Sequence, residues 1–356
     1  MDNMIPIIVT GGGAPGIAGT ISALRNNPDG TAFNIIATDV NKNVVGKYLA
    51  DKFYQVPPPE DSGYFSALRD IITKEHIKAI LPQTTREIMP LSKNTDKFAE
   101  LGCAVVVSPY SAISISNDKY LLVEKAQKAG IPCPRFVLTD SETSLRSAAQ
   151  SLGYPKEKIV VKPRISNGMR GLRILSENPI DVNEFLSRKP EGIEIDLENL
   201  IQILRRGTRP EMLVTEYLPG VEYTIDAFSG SQGHVIIPRV REKIRSGITF
   251  ETRIDIREDL VEYSSKLADM LGLKYCFGFQ FKLSSEGIPK LLECNPRVQG
   301  TMAVSTYAGF NMIYYSVMEA LGKPAEVASV TLKKNIRFKR YWGGVFIDEN
   351  GLISKI

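Results

Sequence analysis

Short apolar runs alternate with amphipathic stretches over the first hundred residues. Ile5–Thr10, Phe33–Asp39, Lys52–Val56, Ala79–Pro82 and Ala104–Val107 are brief apolar runs, which predicts strands. Between them Ile17–Asn26, Tyr64–Lys74 and Arg86–Leu101 carry helical patterns. Such alternation predicts a parallel, doubly wound sheet. Ser108-Pro109-Tyr110 reads as a boundary, followed by a helix from Ser116 to Ala129 that Gly130 and Pro132 close. Phe136–Val214 mixes short strands and helices and has the size of a small lid, with Asp181–Arg209 as a charged excursion. From Val214 to Gly322 the strands lengthen and take antiparallel character, with helices at Asp259–Leu271 and Met312–Ala320. Beyond Val330, Asn335–Phe338 and Gly344–Ile347 read as further strands, and Asn350-Gly351 as the turn after them.

One hairpin concentrates polar chemistry. Tyr275–Leu283 and the run through Leu291–Asn295 flank the turn-like Ser284-Ser285-Glu286-Gly287. Side chains alternate along a strand, so Glu293 and Asn295 share one face. With a turn symmetric about Glu286-Gly287, Gln280 lies opposite Glu293, and Phe279 and Phe281 point toward a core. One carboxylate and two carboxamides, with Arg297 just beyond, suit Mg²⁺ (or Mn²⁺) that nucleotide phosphates also hold. The competing interpretation is the polar outer face of an edge hairpin.

Composition narrows the classes. At 356 residues, 43% hydrophobic, 24% charged and +4 net, the chain fits a globular protein of two or three domains. No basic tract suggests nucleic acid, and no apolar run suits a membrane helix. Met1–Thr10 enters a strand pattern at once, without a signal-peptide layout, so a cytoplasmic location is expected. Cys103, Cys133, Cys276 and Cys294 are scattered and read as reduced thiols. With only His76 and His234, a histidine-built metal site or a Ser–His–Asp hydrolase is disfavoured.

Further motifs pull in two directions. Gly11-Gly12-Gly13-Ala14-Pro15-Gly16 follows a strand and opens a helix, and Asp39 ends the next strand. That is the dinucleotide fingerprint, and alone it favours an NAD-binding oxidoreductase. A Tyr-x-x-x-Lys, Tyr48 to Lys52, lies just past the second strand, badly placed to serve a nicotinamide. Against this stand several triphosphate motifs. Lys119 opens a helix, where a phosphate is welcome. Ile159–Pro163 is a β-branched strand that ends in Lys162-Pro163. Ser166-Asn167-Gly168-Met169-Arg170-Gly171 then turns into a strand at Leu172–Leu175, as a loop able to close over phosphates does. Arg239, Arg241, Lys243 and Arg245 alternate along a strand, which predicts one shared basic face for an anion.

In order and spacing, these motifs resemble the ATP-grasp superfamily from Ile5 to about Leu321. The run Glu293–Gly309 is especially similar to the large subunit of carbamoyl-phosphate synthetases. The resemblance implies a Rossmann-like preATP-grasp domain (residues 1–110), a linker helix and lid (111–213), a C-terminal subdomain with the metal site (214–325) and a β extension (326–356). The implied fold is α/β and α+β, with ATP clamped between two antiparallel sheets. It also implies site roles. Lys119 and Lys162 contact ATP, and Gly168, Arg170 and Gly171 cover the phosphates. The main chain around Glu216, Tyr217 and Leu218 reads adenine, and Glu222 holds the ribose. Gln280, Glu293 and Asn295 hold the metal. Arg241, Arg245 and Arg297 stabilise the transferring phosphoryl group and the carboxylate, and Gly12 and Gly13 border the acceptor. The activity implied is that of a carboxylate–amine ligase that makes an acyl phosphate, which an amine then attacks. A half-sized carbamoyl-phosphate synthetase is the alternative, although that enzyme tends to carry a histidine near Arg239–Arg245 and this sequence has none. An NAD-binding oxidoreductase and a non-catalytic ATP sensor stay open. The partners expected are a small carboxylate and an amine, with no nucleic acid or membrane, and a homodimer is admitted.

Overall fold

The structure, a computed structural model, describes residues 4–166, 168–177, 182–187, 193–341, 343–349 and 351–355. The expected residues Asn167 and Asn350, and parts of the Asp181–Arg209 stretch, lie outside the described residues. The chain divides into two compact units. The first comprises Met1–Ser116, Tyr223–Gln280 and Cys294–Ile356; the second comprises Asn117–Glu222 and Phe281–Glu293.

The first unit opens with β1 (Ile5–Val9), α1 (Ile17–Arg25), β2 (Phe33–Asp39), α2 (Gly46–Leu49), β3 (Lys52–Gln55), α3 (Tyr64–Glu75), β4 (Ala79–Leu81), α4 (Thr85–Lys93), α5 (Thr95–Ala99), β5 (Ala104–Val105) and α6 (Tyr110–Ser116). Its sheet has the order β3-β2-β1-β4-β5, with every pair parallel. Alternate residues of one strand feed two cores. Ile7 and Val9 join a cluster with Ile17, Ile21 and Leu24 of α1, while Ile8 joins Leu68, Ile72 and Ile88 on the other face. The expected helix Arg86–Leu101 is in fact two, because Asn94 ends α4 and precedes α5, its side-chain amide bonding the Pro90 carbonyl.

The second unit contains α7 (Lys119–Lys128), β6 (Phe136–Thr139), α8 (Glu142–Ser151), β7 (Ile159–Pro163), β8 (Arg173–Leu175), α9 (Val182–Ser187), β9 (Glu194–Ile195), α10 (Leu197–Leu204) and β10 (Met212–Glu216). Its sheet has the order β6-β10-β7-β8-β9. The helix expected from Ser116 starts at Lys119, because Asp118 caps it by accepting from the Tyr120 and Leu121 amides. α10 lays Leu197, Leu200 and Ile201 into the core beside Leu145, Val161 and Val214.

Then come β11 (Glu222–Gly230), β12 (Gly233–Arg245), β13 (Ile248–Ile254), α11 (Glu258–Leu271), β14 (Tyr275–Leu283), β15 (Pro289–Asn295), α12 (Val304–Ala308), α13 (Met312–Ala320), β16 (Arg337–Lys339), β17 (Val345–Asp348) and β18 (Gly351–Lys355). The sheet order is β15-β14-β11-β12-β13-β16, and β17 and β18 form a separate hairpin. Phe279 and Phe281 are fully buried, as the alternation demands. The parallel N-terminal sheet and the antiparallel C-terminal region together bear out the expected fold class. All four cysteines are free. Among the described residues, no helix is long and apolar enough to cross a membrane.

Candidate functional site

The second unit gathers two buried lysines near one carboxylate. Lys119, first residue of α7, donates through Nζ to the Ser166 carbonyl (2.7 Å) and lies 4.0 Å from Glu293 Oε2. Lys162 stands at the end of β7 and donates to the Leu292 carbonyl at 3.1 Å. Burial pushes its pKa down to about 8, and Glu293 opposes that shift only in part. Burial pushes Lys119 down as well. Two ammonium groups held out of water in this way favour an anion that restores their charge. Arg164 fixes the framework: its Nε donates to Asp118 at 2.7 Å, and its carbonyl accepts the Lys119 amide.

β7 and β8 pair antiparallel, so the expected hairpin is observed, with Gly168, Arg170 and Gly171 in its connection. Gly171 has φ +77°, and a Cβ there would sit 2.6 Å from Pro163 Cγ, so only glycine fits. Glu216 ends β10 with both its side chain and its amide engaged. Its carboxylate takes Lys290 Nζ at 2.5 Å and Arg135 Nε at 3.1 Å, and its amide donates to the Arg135 carbonyl. Gly220 bonds the Leu283 carbonyl at a distance that leaves no room for a Cβ, and half-buried Glu222 begins β11.

The first unit holds the remaining candidates. Arg297 Nη2 donates to Asn295 Oδ1 at 3.1 Å and its Nε to Thr85 Oγ1 at 3.0 Å, which fixes the Asn295 amide orientation. Gln280 and Asn295 are half-buried, on β14 and β15. Glu293 and Asn295 stand two apart on β15, which passes from one unit to the other between Glu293 and Cys294. Among the described residues, no group of three His, Cys, Asp or Glu side chains could hold a metal.

The shared basic face is corrected. The pairing of β12 with β13 shifts register between Arg241 and Lys243 and again between Lys243 and Ile244. That irregularity breaks the alternation. Arg239 and Arg241 are buried, whereas Lys243 and Arg245 are exposed. Each also has a protein neighbour. Arg239 pairs with Asp226, Arg241 bonds Thr249 Oγ1 and the Gly247 carbonyl, Lys243 reaches Glu251, and Arg245 lies over the Phe250 ring.

The glycine loop packs against its own unit at Gly11, Gly12 and Gly16, which are buried, while Gly13 is exposed. Asp39 Oδ2 accepts the Gly13 amide at 2.8 Å. Val44 crowds the Cβ positions of Gly12 and Gly13, and the Gly46 amide bonds the Gly12 carbonyl. A Cβ on Gly16 would meet Gly300 Cα at 2.9 Å. Packing thus explains these glycines without a pyrophosphate. Lys52, from the Tyr-x-x-x-Lys pair, is bound to Glu75 at 2.6 Å.

Sequence reasoning missed three features: the Lys290–Glu216 pair, buried Glu87 and Arg340. Glu87 accepts from Thr10 (2.7 Å), Thr84 (2.6 Å) and Tyr64 (3.2 Å). The Lys290–Glu216 pair, Arg340 and the Thr10 and Tyr64 bonds to Glu87 depend on partners remote in sequence, so no local pattern announces them; Thr84 alone is a near neighbour, three residues before Glu87.

Comparison with known proteins agrees with this picture. Residues 208–341 match the family model described as ATP-grasp in the biosynthetic pathway with Ter operon, and residues 8–106 match that of the PylC-like N-terminal domain. The chain thus carries an ATP-grasp domain and a PylC-like N-terminal domain. Its single ATP-grasp unit is homologous to the large chain of carbamoyl phosphate synthase. It is 27% identical to the Thermus thermophilus large chain over 237 residues, 63% of this chain and 21% of that one. The chain thus matches about a fifth of the length of these curated relatives. In fold it is similar to the Campylobacter jejuni biotin carboxylase solved as a β-γ-ATP complex (TM-score 0.72, 16% identity, 97% of this chain and 77% of that one). It is likewise similar to the Staphylococcus aureus N5-carboxyaminoimidazole synthetase complexed with ADP (TM-score 0.68, 16% identity, 98% and 83%).

Proposed function

We propose that the chain is an ATP-dependent carboxylate–amine ligase that forms ADP and phosphate. The observation that carries this reading is the buried pair Lys119 and Lys162 beside Glu293, within a sheet whose hairpin holds Gly168 and Gly171. The lysines neutralise phosphate oxygens, the hairpin excludes water, Tyr217 and Leu218 present main-chain groups to the base, and Glu222 takes the ribose. Gln280, Glu293 and Asn295 would hold Mg²⁺, whose chemistry is to offset charge on the phosphates. A carboxylate oxygen attacks the γ-phosphorus, the bond to the ADP oxygen breaks, and an acyl phosphate results. An amine then attacks the acyl carbon, phosphate leaves, and the nitrogen loses a proton. Arg297 suits the charge that develops on the phosphoryl group and the acid. Residues 1–110 would border the acceptor near Gly12 and Gly13.

Homology to the carbamoyl phosphate synthase large chain supports a second reading, in which bicarbonate or carbamate is the acid. An NAD enzyme is disfavoured by the loop in which Asp39 and Val44 already meet Gly12 and Gly13. ADP release screened over carboxylates (bicarbonate included) and amines, with product masses read directly, tests the proposal. Tight NAD binding without ATP–Mg²⁺ binding would sink it. Hydroxylamine should trap the acyl phosphate as a hydroxamate with release of ADP; AMP and pyrophosphate would overturn γ-phosphoryl transfer.

A further inference from the structure

We propose that Thr85, the first residue of α4, is a positioning residue that holds the Arg297 guanidinium in place for phosphoryl transfer. The inference rests on the ligase reading given above, and it gives the parallel-sheet region a part in the chemistry of the phosphates.

Arg297 lies just past the end of β15 and is half-buried. A long side chain of this kind keeps one orientation only if its donors are held. Three of its bonds go to neutral oxygens. Nε donates to Thr85 Oγ1 at 3.0 Å, Nη1 to the Val298 carbonyl at 2.9 Å and Nη2 to Asn295 Oδ1 at 3.1 Å. Such acceptors fix the plane of the guanidinium without cancelling its charge. Val298 and Asn295 lie within two positions of Arg297 and move with it. Thr85 is 212 positions away on another element of the same unit, so of these three it alone ties the fork to a distant point.

The start of α4 is itself held firmly. Thr84, its N-cap, and Thr85 carry adjacent hydroxyls with separate duties. Thr84 Oγ1 donates to Glu87 Oε2 at 2.6 Å, while Thr85 Oγ1 accepts from Arg297. Glu87 is buried and also accepts from Thr10, just past β1, at 2.7 Å and from Tyr64, the first residue of α3, at 3.2 Å. These bonds fasten the first turn of α4 to its neighbours, and Thr85 with it. A guanidinium that is to meet charge developing on a phosphoryl group must be in place beforehand. A displacement of about 1 Å near a reacting centre can cost about a hundredfold. Losing one anchor of three should cost less, about tenfold.

Two measurements on the full chain test this. In protein labelled with ¹⁵N-arginine, the Arg297 Nε–H resonance is identified by its loss in Arg297→Lys. It should exchange slowly with water in the parent and in Thr85→Ser, and about tenfold faster in Thr85→Val, which keeps the shape and removes the acceptor. Calorimetric titration with AMP-PNP–Mg²⁺ and with ADP–Mg²⁺ then separates contacts to the γ-phosphate from the rest. Thr85→Val should weaken AMP-PNP about tenfold and leave ADP within about twofold, and Thr85→Ser should match the parent for both. Added to Arg297→Gln, Thr85→Val should change neither affinity further, because the two residues act as one unit. The proposal is overturned if exchange in Thr85→Val is not faster, if AMP-PNP binds as in the parent, if both nucleotides weaken alike, or if the effect persists in Arg297→Gln. Should Thr85→Val fail to fold, Thr85→Ala takes its place in every arm. A parent that binds neither nucleotide defeats the ligase reading and this inference together. A parent that binds both while Thr85→Val changes nothing defeats the inference alone.

Discussion

Two glycine loops in this chain look alike in sequence and differ in what surrounds them. In Gly11–Gly16, residues of the same unit occupy the space that glycine opens, through Thr84, Val44 and Gly300. Around Gly168–Gly171, Pro163 and the Arg170 side chain crowd the glycines among the described residues, and the strand leading in delivers a buried lysine. Glycine spacing reports where backbone comes close to something; it does not say whether that something is ligand or protein. Cations kept out of water distinguish the cases, because their burial needs an anion to compensate.

The strongest way to break this comparison is to remove the charges. Lys162→Met should lower turnover by about a hundredfold or more, and Glu293→Ala by a similar factor, with the fold retained in both. Steady-state ADP release and circular dichroism read the two effects. Gly13→Ala should leave ATP–Mg²⁺ affinity nearly unchanged. A loss comparable to that of Lys162→Met would restore the N-terminal loop as the nucleotide site.

The next effect is on stability. Gly16→Ala places a methyl 2.9 Å from the Gly300 backbone, which cannot rotate away. We expect a loss of roughly 1–3 kcal/mol, as overpacking commonly costs, seen as a lower urea midpoint with unchanged ATP–Mg²⁺ affinity. Unchanged stability would mean that the close approach is relaxed in solution.

Much of this was legible in the sequence because the signals are local. Phe33–Asp39 came out with the expected bounds, and β1 and α1 each lost one residue at the end. β7 was marked by consecutive β-branched residues before Lys162-Pro163. The helix break at Asn94 was hidden, since a short polar residue after Pro90 reads as helical surface until its amide is seen capping the Pro90 carbonyl. The basic strand misled for a related reason: alternation assumes an unbroken ladder, and the ladder is irregular between Arg241 and Ile244, with Lys243 and Arg245 exposed. Arg340 was beyond reach, because its bond to Pro15 spans 325 positions.

A subtler contrast lies in the lysine's proton. With its pKa at about 8, Lys162 is largely neutral in the free protein above that pH, and phosphate oxygens should recharge it. Binding ATP–Mg²⁺ near pH 8.5 should therefore take up as much as about one proton, and affinity should fall from pH 8 toward 10. Calorimetry in buffers of different ionisation enthalpy measures the uptake, and Lys162→Met should abolish it. No buffer dependence in the parent would mean that nucleotide does not approach Lys162.

The smallest effect concerns the buried carboxyl beside the N-terminal loop. Glu87 accepts three hydroxyl hydrogen bonds, and these favour its charged form, yet burial outweighs them and holds its pKa above the ordinary value. The sign follows from linkage. A raised pKa in the folded state favours the protonated form, so stability is fullest below the unfolded pKa and is lost as pH rises through the folded one. Glu87→Gln keeps the shape and removes the titration. Its stability relative to the parent should accordingly be lowest in mild acid and improve steadily toward pH 9, while ATP–Mg²⁺ affinity stays constant. Urea unfolding of both proteins at pH 5, 7 and 9 measures the difference. A gap that does not move with pH would show that the three hydroxyls, and not burial, govern this carboxyl.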